Sequence, residues 1–152
     1  MNGHWLFPEE MRQDLYTGFV YVVRDYISGY YYIGKKNFRV GRGKHKEKMA
    51  DWRYYFSSSN LLCELKAMTP DPSFHCIVLE QYTQPASLRY AETWSLCHVN
   101  APCTELCLNV RIEEISWKIK EPPTERHRER LARVVANGSF RKDYNEFFNP
   151  KE

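Results

Sequence analysis

The sequence predicts an α+β fold, a small β-sheet covered by helices with a short helical tail. Three observations carry that expectation. Thr17 to Arg24 ("TGFVYVVR") and Tyr30 to Lys36 ("YYYIGKK") are rich in β-branched and aromatic residues and flank a turn signal. Phe74 to Tyr82 ("FHCIVLEQY") is a continuous run of the kind expected for a strand covered on both faces. On either side of it, Leu61 to Met68 and Pro85 to about Val99 place apolar residues at helical spacing.

The first two runs form an antiparallel hairpin if Ser28-Gly29 is a two-residue turn. Ile27 then pairs with Tyr30, Asp25 with Tyr32 and Tyr21 with Lys36. Because strand side chains alternate between faces, Tyr21, Asp25, Tyr32 and Lys36 share one face. Gly34 points the same way without a side chain, leaving a notch between the tyrosines and the lysine. A basic loop, "NFRVGRGKHKEKMAD", follows. Ser59 or Asn60 caps the first helix, and the two prolines of "TPDPS" end it. After the Phe74 strand, Pro85 suits a first helical turn, "NAPC" closes that helix, and "LNVRIEEISWKI" is a last extended piece. Beyond "KEPP" the composition changes. Thr124 is an N-cap, Asn137-Gly138 a stop signal, and Leu131, Val134 and Val135 a narrow apolar stripe beside Arg126, Arg128, Arg130 and Arg133. This helix, 124–137, suits packing on the main domain and lying on DNA equally. The expected division is a domain over 15–112 and an extension over 113–152.

With 152 residues, the chain suits one domain plus a short appendage. No apolar run approaches the roughly 18 to 20 residues that span a bilayer, and the N-terminus lacks the pattern of a secretory signal. Five cysteines in that setting are expected to be reduced thiols of a cytoplasmic protein. The net charge of +3 is modest but concentrated: Lys35 to Arg53 holds eight Lys and Arg residues against Glu47 and Asp51. Such a patch attracts polyanions, and Phe38, Trp52, Tyr54 and Tyr55 interleave it with rings that could stack on bases.

On the second helix Leu88, Glu92 and Leu96 stack on one face, widened by Ala91, Ser95 and Val99. That sets Glu92 in the middle of an apolar stripe, where a carboxylate must be paired or bind a metal. The rival reading puts Glu92 at the stripe's edge, reaching water. Cys97, His98, Cys103 and Cys107 raise a zinc reading, but their spacing is not the paired Cys-x2-Cys type, and free cysteine is commonly a small core residue.

The ordered set Phe19-Val20-Tyr21, Tyr32-Ile33-Gly34, Lys35-Lys36, "DWRYYFSSS", Glu92 and Asn109 resembles the GIY-YIG nuclease superfamily over Gly18 to Val110. The likeness extends to its phage-encoded, homing-type members. The resemblance implies a three-stranded antiparallel sheet flanked by helices, and hydrolysis of DNA phosphodiester bonds with one divalent ion. That ion is magnesium, with manganese as a substitute, held by Glu92 and the scissile phosphate. It implies that Tyr21 takes the proton of the attacking water, helped by Lys36, and that Tyr32 bonds the phosphate or the water. The transition-state cation is Arg53 by motif or Arg42 by interval, with His45 as a phosphate contact. Asn109 either buttresses the site or serves a turn or strand edge. Lys35, Arg39, Arg42, Lys44, His45, Lys46 and Trp52 are the expected DNA contacts. The expected protein is thus a phage homing-type or host-interference endonuclease, acting as a monomer or a transient dimer on DNA. A DNA-binding module of the same fold without turnover and a zinc-stabilised interaction protein are the rivals.

Overall fold

The computed structural model describes residues 1–40, 48–49, 51–68, 73–109, 112 and 121–136. In chain order its elements are strands β1 (Gly18–Asp25) and β2 (Tyr31–Asn37), the short strands β3 (Arg39–Val40) and β4 (Lys48–Met49), and helix α1 (Asn60–Met68). Strand β5 (Phe74–Tyr82), helix α2 (Pro85–His98) and helix α3 (Glu125–Ala136) follow. The main sheet is three-stranded and antiparallel in the order β2-β1-β5. The fold is α+β, as the sequence predicts. Ser59 caps α1 by accepting the Leu62 N–H at 3.3 Å.

Because apolar residues occupy both faces of β1, the sheet is a middle layer. On one face Val20, Val22, Ile33, Ile77 and Leu79 meet Leu88, Ala91 and Leu96 of α2 and Leu131 and Val134 of α3. On the other, Phe19, Tyr21, Val23, Cys76 and Val78 meet Trp5, Phe7, Met11, Phe38, Trp52 and Leu62. No element was expected before Thr17, yet the N-terminal segment is part of the core. Its Leu6 donates to the Cys76 carbonyl at 2.7 Å and accepts from Val78 at 3.1 Å, covering the free edge of β5. Leu106 and Leu108 do the same for β2 through Tyr31, at 2.9 and 2.8 Å. Both sheet edges are therefore closed to further strand pairing at these points. The expected extended piece after Cys107 is seen only in this short pairing; most of it lies outside the described residues.

A bulge in β5 explains how the tail helix is held. Val20 faces Glu80 but Tyr21 faces Val78, so Leu79 is the extra residue, and both Leu79 and Glu80 turn toward α3. The Thr124 hydroxyl accepts the His127 N–H at 3.1 Å, capping α3, and donates to Glu80 at 3.0 Å. Arg126 reaches the same carboxylate at 3.0 Å, and Arg130 donates to the Leu79 carbonyl at 2.7 Å. At the other end the Arg24 guanidinium donates to the Val134 carbonyl. A carboxylate at the N-terminus and a guanidinium at the C-terminus complement the helix dipole. Of the two placements open for this helix, the structure shows the one packed on the domain. The Asn137-Gly138 stop lies outside the described residues. No helix among the described residues is long and apolar enough to cross a membrane.

His127 is fully buried between α2 and α3. The Ser95 hydroxyl donates its one proton to the Ala91 carbonyl at 2.7 Å, so its oxygen accepts from His127 Nε2 at 2.6 Å. Nδ1 then accepts the Tyr82 hydroxyl at 3.0 Å. Burial first, then Arg130 and Arg128, push the His127 pKa down to about 3. A depressed histidine pKa favours the neutral form in the fold, so its contribution is present above the unfolded value of about 6.5 and is lost as pH falls toward the folded one. The stability difference between wild type and His127→Gln should therefore shrink as pH drops from 7 to 4, measured by urea denaturation. A constant difference would place no titration at His127.

Candidate active site

Asp25 sets the geometry of the hairpin. Its carboxylate accepts the Ile27 N–H at 3.1 Å and the Ser28 hydroxyl at 2.7 Å, and its carbonyl accepts the Gly29 N–H at 2.9 Å. Gly29 takes a φ of 83°, which suits only glycine without strain. The side chain thus folds a turn longer than the expected Ser28-Gly29 pair. The register moves by two residues: Tyr21 faces Gly34, Val23 faces Tyr32, and Phe19 faces Lys36. The expected pairings of Tyr21 with Lys36 and of Asp25 with Tyr32 are therefore corrected. A shift of two keeps the faces, so Tyr21, Tyr32, Gly34 and Lys36 still lie on one side of the sheet.

Tyr21 lies across Gly34. A Cβ at position 34 would sit 2.4 Å from the Tyr21 hydroxyl oxygen and 2.5 Å from Cζ, so the notch is filled by the phenol itself. The ring is 1% exposed, 5.0 Å from the Trp5 ring and 6.4 Å from the Tyr32 ring, centroid to centroid. Its hydroxyl end lies near Tyr55 and Ser57. Burial, with Tyr55 and Tyr32 close by, pushes the Tyr21 phenol well above its usual pKa. A cation lowering that pKa, as expected of Lys36, is not what the structure shows. Lys36 has its Nζ 4.1 Å above the centre of the Tyr55 ring, and desolvation lowers its own pKa. The Tyr32 hydroxyl is 3.5 Å from Ser58 Oγ; burial and the charge of Glu92 raise its pKa against the opposing pull of Ser58.

Glu92 comes from the opposite side of the sheet. Ser87, Leu88, Ala91, Ser95 and Leu96 are the buried residues of α2, and Glu92 is half-buried at the margin of their stripe. The edge position, not the mid-stripe one, is correct, because α2 rests on the sheet through Leu88, Ala91 and Leu96. From the margin its carboxylate acts electrostatically on Tyr32 of the edge strand β2. Asn109 fixes that strand. Its Oδ1 accepts the Ile33 N–H at 2.8 Å and its Nδ2 donates to the Ile33 carbonyl at 2.7 Å, one residue from Gly34.

Other expected site residues lie elsewhere. Trp52 is 1% exposed, with Nε1 donating to Gln13 at 2.9 Å, and Phe38 is fully buried; neither is placed to stack on a base. Arg53 donates from Nε to the Met1 carbonyl at 3.0 Å and lies over the Trp52 ring, so its described contacts run to the N-terminal segment and not to the tyrosines. Lys35 points to the α2 side of β2, opposite Val20, and Arg39 is exposed on β3. Arg42, Lys44, His45 and Lys46 lie outside the described residues. Cys107 is buried with its thiol on Asn109 Oδ1 at 3.3 Å, and His98 stacks on Trp94. Among the described residues no group of three or more His, Cys, Asp or Glu could hold a metal ion. Three site residues were not assigned from sequence: Tyr55, Ser57 and Ser58. The stretch "DWRYYFSSS" was the available signal, but periodicity does not say which of its side chains turn inward.

A comparison with protein families matches residues 5–106 to the one described as "Putative endonuclease segE, GIY-YIG domain". The chain belongs to the GIY-YIG nuclease family. That match takes in the N-terminal segment, both tyrosine motifs, the Trp52 to Ser59 stretch and Glu92, and it ends before Asn109 and α3. No curated protein and no solved structure matches the chain. The GIY-YIG part thus supplies every member of the tyrosine, lysine and glutamate cluster.

Proposed function

We propose that this GIY-YIG protein is a metal-dependent endonuclease that hydrolyses DNA phosphodiester bonds, of phage homing or host-interference type. The observation that carries the reading is convergence at β2. What supports it is that Tyr21, Tyr32 and Lys36 share one face of β1 and β2, Lys36 seated on the Tyr55 ring, while the charge of Glu92 on α2 acts on Tyr32. Glu92 offers one hard, half-buried oxygen donor beside a surface where water and phosphate can complete a coordination shell, which fits a single magnesium ion. Glu92 would hold it, and manganese would substitute. When bound, the ion supplies polarisation of a phosphoryl oxygen and a counter-charge for the leaving alkoxide.

The chain's own groups would do the rest. Tyr21 and Tyr32 are hydrogen-bonding partners for the attacking water and the phosphate. Lys36 is the described cation of the cluster, and it takes the electrostatic role expected of Arg53. Arg42 and His45 remain alternatives for a phosphate contact. Exposed Arg39 and the basic residues after it would guide the DNA backbone, with the protein a monomer or a transient dimer there.

Incubating supercoiled plasmid DNA with wild type and Glu92→Ala, each with magnesium or with EDTA, tests this. Cleavage is expected from the wild type with metal alone, the variant being about a thousandfold slower. Equal cleavage by both proteins would remove Glu92 from the mechanism. The neutral state in which burial holds Tyr21 favours a second reading, a DNA-binding module without turnover. Salt-sensitive DNA binding with no cleavage at any magnesium concentration would select it.

A further inference from the structure

The stretch after Trp52 brings to the site groups that neither tyrosine motif contains. Trp52 is its anchor: the Trp5 indole donates to the Trp52 carbonyl at 2.7 Å. The Tyr55 carbonyl accepts from His4 Nε2 at 2.9 Å, so the backbone behind Tyr55 is pinned by the N-terminal segment. From that fixed backbone the Tyr55 ring extends between two members of the cluster. It meets the Tyr21 ring edge-on, at 6.2 Å between centroids and 79° between planes. Its other contact is the Lys36 ammonium, 4.1 Å from its centre.

We infer that Tyr55 is a positioning residue for phosphodiester hydrolysis, seating the Lys36 ammonium on its ring beside the Tyr21 ring; the inference rests on the hydrolase reading above. A lysine has a long flexible stem, and an ammonium held over an aromatic face loses that freedom before substrate arrives. The same ring meets Tyr21 edge-on, so one side chain sets the ammonium and the phenol relative to each other.

The test compares wild type, Tyr55→Phe and Tyr55→Leu in single-turnover plasmid cleavage with magnesium from pH 6 to 9. DNA affinity and melting temperature are measured alongside. Phenylalanine keeps the ring under Lys36 and beside Tyr21, and as the conservative variant it should hold its rate within about threefold of wild type. Leucine removes both contacts and should fall about a hundredfold, the scale of loss when a reacting group is misplaced by an ångström. The inference is overturned if Tyr55→Leu cleaves like wild type, if Tyr55→Phe loses as much as Tyr55→Leu, or if the leucine loss follows a lowered melting temperature. Tyr55→Met, of similar length, takes the place of leucine should that variant fail to fold. A wild-type protein that does not cleave is a different outcome, and it overturns the hydrolase reading itself.

Discussion

Gly34→Ala is expected to abolish most DNA cleavage, by about a hundredfold or more, and to destabilise the fold by about 1–3 kcal/mol. The methyl group would need the space held by the Tyr21 hydroxyl and Cζ. A flexible side chain would swing aside, but Tyr21 is a rigid ring packed among Trp5, Phe19, Tyr32 and Tyr55. Relief must come from moving the phenol or from separating β1 and β2. Moving the phenol disrupts its ring packing on Trp5 and Tyr55, and separating the strands disturbs the Asn109 clamp on Ile33. Cleavage and thermal unfolding on the same preparation would check both halves. Wild-type activity in a stable alanine variant would mean that the phenol's position is immaterial to the chemistry. Tyr21→Phe, which keeps the ring and removes the hydroxyl, should lose activity with a smaller loss of stability.

The second large effect concerns the tail helix. Glu80→Ala should lower stability by about 2 kcal/mol, because it leaves the buried Gln81 N–H and the half-buried Thr124 hydroxyl without their acceptor and takes one of two carboxylate partners from Arg126. The carboxylate accepts from Thr124, Arg126 and the Gln81 N–H, each at 3.0 Å, and it acts on Arg130 through its charge. Glu80→Gln should cost much less. Burial raises the Glu80 pKa, so the ionised form carries an uncompensated desolvation cost that a neutral amide of the same shape avoids. Urea denaturation of the three proteins decides it. Equal losses for alanine and glutamine would show that charge, not hydrogen bonding, secures α3. Because α3 contributes Leu131, Val134 and His127 to the packing over β5 and α2, its release would be read in the global transition, not as local fraying.

Period-two alternation is a local property of the chain, and much of the hairpin follows from it. It was enough to put Tyr21, Tyr32, Gly34 and Lys36 on one face, and that conclusion survives a register error because the error was two residues. The error itself came from Asp25, whose side chain enters the turn and lengthens it; composition names Ser28-Gly29 as a turn but does not say that an aspartate before it will cap it. Glu92 was identifiable as the one carboxylate in an apolar stripe, yet its depth was not, since α2 could be rolled by one residue without violating its pattern.

Sequence by itself determined the fold class, the face of the two tyrosines, the cap at Thr124, and the family to which the chain belongs, and it narrowed the first helix cap to Ser59 or Asn60. Tertiary structure alone decided that Trp52 and Phe38 are core and Tyr54, at 69% exposure, is not, although all three lie in or beside one basic stretch. It also decided that Trp5, Phe7 and Met11 roof the Tyr21 face, and that Arg53 turns to Met1 while Tyr55 turns to the site. Alternation and capping act between neighbours in the chain. Burial of an irregular segment depends instead on which distant apolar surface needs covering, and that is set only once the sheet has formed.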